Sequence, residues 1–208
     1  MKVCKFGGTS VASAKQIQKV ATIVRADSTR KVIVVSAPGK RFPEDCKTTD
    51  LLIELGETAY AGRSTEEAFQ RVFNRYHDIA KALQIDALIM PIIEADLRRR
   101  LTYSKEDQTL FIDYMKAAGE DCHAKLITAY FNHIGIPARY TCPKEAGLYV
   151  TERPRRVQAI PEGYAQLKEL GQSNDVIVFP GFFGFTKSGT LRTFNRGGSD
   201  ITGSIIAA

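Results

Sequence analysis

Residues 1–39 read MKVCKFGGTSVASAKQIQKVATIVRADSTRKVIVVSAPG. Lys2–Phe6 has the length and apolar content of a strand. Ile17, Val20, Ala21 and Val24 then fall at i, i+3, i+4 and i+7, the spacing of one helix face. Residues 31–39 carry no polar alternation before Pro38 and Gly39, which predicts a strand buried on both sides, as in a parallel sheet. Strand, helix and strand make a βαβ unit. The stretch therefore predicts an α/β fold built on a mainly parallel sheet.

Further along, TDLLIELGETAYAG (49–62) predicts a helix after a polar loop. Ser64 with Glu67 has the form of a capping box ahead of a helix bearing Phe69, Val72, Phe73, Tyr76, Ile79 and Leu83. Pro91 is expected to break or kink the stretch 85–101. Ser104 with Asp107 predicts another helix start. Gly119 is expected to part that helix from one running over 120–134, which Gly135 and Pro137 close. ARYTC (138–142) predicts a strand, and Pro161 a short helix to residue 170. DVIVFPGFFGF (175–185) predicts a second buried strand. Lys187, Ser188 and Gly189, between two β-rich runs, predict a hairpin over 183–194. NRGGSDITGSIIAA (195–208) enters a helix with no cap after Ile205 and Ile206. The sequence thus reads as stopping inside an element, with Ile201, Ile205 and Ile206 expected to be exposed.

The chain has 208 residues, 44% of them hydrophobic and 25% charged, as suits a soluble globular domain. Its net charge of +6 is scattered. The densest basic cluster, Arg98–Arg100, reads as a solvated helix end, which argues against nucleic acid as a partner. Cys4, Cys46, Cys122 and Cys142 are too far apart for a zinc site or disulfide framework, and reduced thiols fit a cytoplasmic location. No apolar run is long enough for a membrane span.

The turn after the first strand asks for explanation. Lys5, Phe6, Gly7, Gly8 and Thr9 form no P-loop, because Ser13 stands where its second glycine belongs, and they form no GxGxxG either. What remains is a lysine beside a Gly-Gly turn that leads to a helix. Bare N–H groups there suit phosphate oxygens, and a plain strand-to-helix turn is the alternative. RGGSD (196–200) repeats the pattern with Arg196 and Asp200 at its ends. Arg196 suits a carboxylate; the alternative is an N-cap made by Ser199 or Asp200. Open α/β sheets bind ligands in such crevices at strand ends. Glu120, in GED (119–121), is also explained by a carboxylate's preference for a helix start.

Together, KFGGTSVA (5–12), VVSAPGK (34–40), TTDLL (48–52), AAGEDCHAKL (117–126), PGFFGFT (180–186) and RGGSD (196–200) resemble, in order and rough spacing, the aspartate kinases of the amino acid kinase superfamily. The resemblance covers 1–208 and implies the N-terminal portion of the catalytic domain, a three-layer α/β/α fold. The nucleotide-gripping remainder and ACT regulatory domains of the family have no counterpart in this sequence. Asn195 stands where glycine is usual.

The implied activity moves the γ-phosphoryl of ATP to the side-chain carboxylate of L-aspartate, giving 4-phospho-L-aspartate, the first step toward lysine, threonine and methionine. The resemblance casts Lys5 and Asp200 as catalytic. It places ATP phosphates at Lys5, Phe6, Gly7, Gly8 and Thr9, with Mg²⁺ bridging the nucleotide oxygens. Aspartate would be bound by Ser36, Thr49, Glu120, Arg196, Gly197, Gly198 and Ser199. Arg196 would take the α-carboxylate and Glu120 the α-ammonium. Asp200 would orient Lys5 on one side and, on the other, a second cation not found in this sequence. The implied setting is cytoplasmic, with a homo-oligomer, a dimer, in the full-length form and no membrane partner. This chain by itself is expected to be inactive. The alternatives are a sister kinase acting on another small carboxylate and an inactive aspartate-binding fragment.

Overall fold

The computed structural model describes residues 1–152, 157–195 and 197–208. The predicted βαβ unit forms as β1 (Lys2–Phe6), α1 (Ala14–Arg25) and β2 (Arg30–Val35). Ser13 caps α1, its side chain accepting from the Gln16 N–H. Four long helices follow: α2 (Thr48–Tyr60), α3 (Glu66–Ala82), α4 (Asp86–Leu101) and α5 (Gln108–His133). Then come β3 (Ala138–Tyr140), α6 (Tyr164–Glu169), β4 (Val176–Pro180), the hairpin β5 (Phe183–Phe185) and β6 (Leu191–Thr193), and α7 (Gly198–Ala207).

The main sheet is parallel throughout, in the order β1-β2-β4-β3. Val32, Ile33, Val34 and Val35 are fully buried, as the unbroken apolar run requires. Ile33, Val35 and Val178 face the core shared with α1–α5. Val32, Val34, Ile177 and Phe179 face the other way, onto Leu167, Leu170 and Ile206 from the side of α6 and α7. These are the three layers of an α/β/α fold. Among the described residues no helix is long and apolar enough to cross a membrane.

Several local expectations give way to tertiary packing. Gly119 does not separate two helices: α5 runs unbroken through it, so Glu120 lies in mid-helix and owes nothing to a helix start. A Cβ on Gly119 would stand 2.8 Å from the Ala37 Cβ, so this glycine is a packing notch. Pro91 sits inside a continuous α4. Its missing N–H strands one carbonyl, while burial of Ile89, Met90, Ile93 and Leu97 holds the helix. Thr65, not Ser64, precedes α3, with no side-chain cap. Asp107, not Ser104, caps α5 by accepting from Leu110 N–H. The run 175–185 splits after Pro180, where the left-handed Phe182 (φ 76°) turns the chain into the hairpin.

Two surface expectations reverse in part. Arg100 is only 3% exposed. It reaches Asp96 Oδ2 and Asp121 Oδ2, each at 2.6 Å, and ties α4 to α5. Ile206 is buried against the sheet, whereas Ile201 is 38% exposed, as expected.

Candidate active site

The ends of β1 and β2 meet through backbone alone. After β1 the chain makes a single 3₁₀ turn, Gly8–Val11, with Gly7 leading into it. After β2, residues 36–39 lie against that turn, and the Gly39 N–H donates to the Gly8 carbonyl at 2.9 Å. A Cβ on Gly39 would stand 2.6 Å from the Gly8 carbonyl carbon, and one on Gly8 would stand 3.1 Å from the Ala37 oxygen. Only glycine permits this approach, which explains why both turns carry one.

The loop 36–39 is fastened on every side. The Ser36 N–H donates to the Phe6 carbonyl at 3.2 Å. Thr48 Oγ1 donates to the Pro38 carbonyl at 2.8 Å, and Arg75 Nη2 donates to the Gly39 carbonyl. Arg75 is itself buried and paired with Asp45 at 2.9 Å. From α5, His123 Nδ1 lies 2.8 Å from the Ser36 carbonyl, and the Ala37 N–H is directed at the Glu120 carboxylate.

Between the two turns lies a cleft of about 380 Å³ lined by Gly8, Thr9, Ser36, Ala37, Pro38, Gly39, Lys40, Lys47, Thr49 and Glu120. Five of the residues singled out in the sequence therefore share one crevice: Gly8, Thr9, Ser36, Thr49 and Glu120. Glu120 is the buried acid there. Desolvation pushes its carboxyl up to about 8, although the Ala37 N–H and the Lys5 charge work against that rise. Its Oε2 has no hydrogen-bond partner among the described residues. A buried carboxyl oxygen left bare at a cleft lacks a partner, and a cationic donor arriving there would favour its ionised, accepting form.

Lys5 does not line this cleft, but its charge acts on Glu120 there. Its Nζ pairs with Asp200 Oδ1 at 2.7 Å, and a Cβ on Gly7 would come within 3.4 Å of that ammonium. Asp200 lies in the first turn of α7, after Gly197, whose left-handed φ of 80° opens the helix. Gly198 and Ser199 pack behind it. Ser199 is buried, and its side chain lies where a Cβ on Gly181 would be. Phe6 contributes a carbonyl to the loop contact above and packs its ring against the core. Arg196 lies outside the described residues.

Sequence reasoning took only Ser36 from the loop after β2. It missed Lys40 and Lys47, the two lysines on the cleft, and the contacts of Ala37 and Gly39. The signal available was the SAPGK run itself, whose proline and glycine mark a constrained turn without showing what it packs on.

The pattern of the amino acid kinase family matches residues 1–208. The chain belongs to the amino acid kinase family. Within that family, it is 49% identical over 207 residues to Aspartokinase 3 of Bacillus subtilis, covering 100% of this chain and 46% of that protein. Aspartate kinase of Clostridium acetobutylicum superposes with a TM-score of 0.80 at 32% identity, over 99% of this chain and 44% of that one. Escherichia coli aspartokinase III, solved with aspartate and ADP, shares the fold at a TM-score of 0.79 and 23% identity, over 99% of this chain and 46% of that one. The chain spans just under half the length of these relatives. The Gly8 and Gly39 turns of its βαβ unit and the acidic α5 residue share one crevice at the strand ends.

Proposed function

We propose that this chain supplies the aspartate- and phosphate-binding portion of an ATP-dependent aspartate kinase. The observation that carries the reading is the bare, buried Glu120 oxygen on the same crevice as the Gly8–Thr9 turn, with the Lys5 charge acting on it. The names of the relatives, aspartokinase and aspartate kinase, support the same substrate.

In this reading Glu120 receives the α-ammonium of aspartate, with the hydroxyls of Ser36 and Thr49 beside it. Arg196 takes the α-carboxylate, and Gly197, Gly198 and Ser199 shape that end of the crevice. The side-chain carboxylate of aspartate is already ionised near pH 7 and needs no general base. The obstacle is repulsion between it and the triphosphate, so the protein's task is positioning and charge neutralisation. The Gly7, Gly8 and Thr9 segment offers backbone N–H groups to phosphate oxygens. Lys5, aimed by Asp200, faces the transferring phosphoryl. Mg²⁺ enters with the nucleotide as part of the substrate, held by phosphate oxygens and water. The reaction would open lysine, threonine and methionine synthesis in the cytoplasm. The rest of the kinase domain, ACT regulatory domains and a dimer belong to the same proposal.

The test is a coupled phosphotransfer assay with L-aspartate, N-acetylglutamate and glutamate as acceptors, beside calorimetry with each. Aspartate should be the acceptor bound and, where the remaining kinase elements are supplied, phosphorylated. Preference for another acceptor would favour a sister kinase. Binding of aspartate without turnover under any condition would favour the fragment reading.

A further inference from the structure

We infer that His123 is a positioning residue for the amine-binding end of the crevice, acting through the Ser36–Ala37 peptide. The inference rests on the proposed aspartate site and adds a residue to which that site gives no role.

The geometry is specific. Ser36 C=O and Ala37 N–H belong to one peptide unit. Nδ1 of His123 lies 2.8 Å from that oxygen, and the N–H of the same peptide is directed at Glu120. Glu120 and His123 are three residues apart on α5 and so share a face. One helix face thus holds the carbonyl of this peptide and sets the Glu120 carboxyl on the side of its N–H. Turning that plane over would break the carbonyl contact and carry the N–H away from Glu120.

The contact also fixes the state of the ring. A carbonyl can only accept, so Nδ1 must carry the proton. Nε2 is then a bare acceptor, and it has no partner among the described residues. His123 is wholly buried, and desolvation lowers its imidazole to about 4, which keeps it neutral in the ordinary range. The Tyr76 ring lies edge-on to it at 6.5 Å. Nothing in the proposed chemistry asks for a proton from His123. What it does is hold the Ser36 carbonyl.

The consequence falls on Glu120. With the peptide fixed, the Ala37 N–H occupies one side of the carboxylate and leaves Oε2 bare for the incoming ammonium. With the peptide released, Glu120 can turn onto other partners, and the amine loses its prepared acceptor. ATP, at the Gly7–Thr9 turn, should be indifferent.

His123→Leu removes the donor. His123→Asn restores one at the Nδ1 position. Two readouts decide the matter. Hydrogen exchange at Ala37 N–H should quicken about tenfold or more in the leucine variant and return close to wild type in the asparagine variant. The dissociation constant for L-aspartate should rise about tenfold in the leucine variant and recover in the asparagine variant, with that for ATP–Mg²⁺ unchanged. Unaltered Ala37 exchange would overturn the inference, as would loosened exchange with aspartate affinity intact. If the leucine variant fails to fold, imidazole ¹⁵N shifts of the wild-type protein at neutral pH decide the contact. A protonated Nδ1 with bare Nε2 supports it, and the reverse tautomer refutes it. Failure of the wild-type protein to bind aspartate would instead sink the functional reading; the exchange and ¹⁵N results would still judge the peptide clamp.

Discussion

Gly39→Ala tests whether the crevice depends on the close approach of its two turns. The new methyl carbon would stand 2.6 Å from the Gly8 carbonyl carbon, 2.8 Å from Thr9 N and 2.9 Å from Gly8 O. These are backbone atoms, so no side chain can swing aside. To restore an ordinary 3.4 Å contact the turns must part by roughly 0.8 Å, and the Gly39–Gly8 hydrogen bond lengthens with them. Overpacking of this kind costs about 1–3 kcal/mol of stability. A displacement approaching 1 Å at a phosphate turn costs on the order of 10²-fold in turnover. Gly39 is not among the residues with positive φ, so alanine strains no dihedral there and the effect isolates the contact. Gly62→Ala is the complementary control. Its φ is +68° with nothing within 4 Å of the added methyl, so it costs backbone strain far from the crevice. Chemical denaturation of this chain and phosphotransfer by the full-length enzyme should therefore separate the two. Gly39→Ala should lose both stability and activity, and Gly62→Ala stability alone. A Gly39→Ala protein within threefold of wild-type kcat/KM would refute the argument that this contact sets the crevice.

Three further outcomes are expected. Lys5→Ala in the full-length enzyme should leave the fold intact, because its partner Asp200 is largely exposed, yet lower kcat about 10²- to 10³-fold; a kcat within threefold would remove Lys5 from the chemistry. Arg100→Met takes the buried guanidinium from between Asp96 and Asp121, which keep Arg99 and Lys125 as partners, and should cost about 1–3 kcal/mol in urea denaturation, whereas no measurable loss would show the link to be dispensable. Glu120→Gln should become progressively more stable than wild type as pH rises. Folded Glu120 keeps its proton up to about 8 and the unfolded chain loses it near 4.5, so this group makes stability fall across that window. Lys5 from β1, Tyr76 from α3 and His123 from α5 carry the other titrating groups around it. A melting-temperature difference that stays flat from pH 5 to about 9 would contradict the protonated carboxyl.

The first 39 residues by themselves determined the fold class. Helical spacing at Ile17, Val20, Ala21 and Val24, set between apolar runs, admits little besides a βαβ unit, because burial of an apolar stripe is a local, periodic demand. The glycine turns were equally legible, since a Gly-Gly pair exceeds what a turn needs. Gly119, Pro91 and Arg100 were not. Each was read by its local preference to break a helix, to kink one or to seek water. Each was overruled by a partner distant in sequence: Ala37 for the glycine, the apolar core for the proline-bearing helix, Asp121 for the arginine. The same holds for the crevice. The sequence offered Glu120 as a helix-start acid or an ammonium ligand. Burial in mid-helix, with one oxygen bare, removed the first choice. Only the tertiary structure could bring Ser36, Ala37 and His123 onto one peptide plane, because that contact joins residues 87 apart, and no local pattern encodes a meeting at that distance.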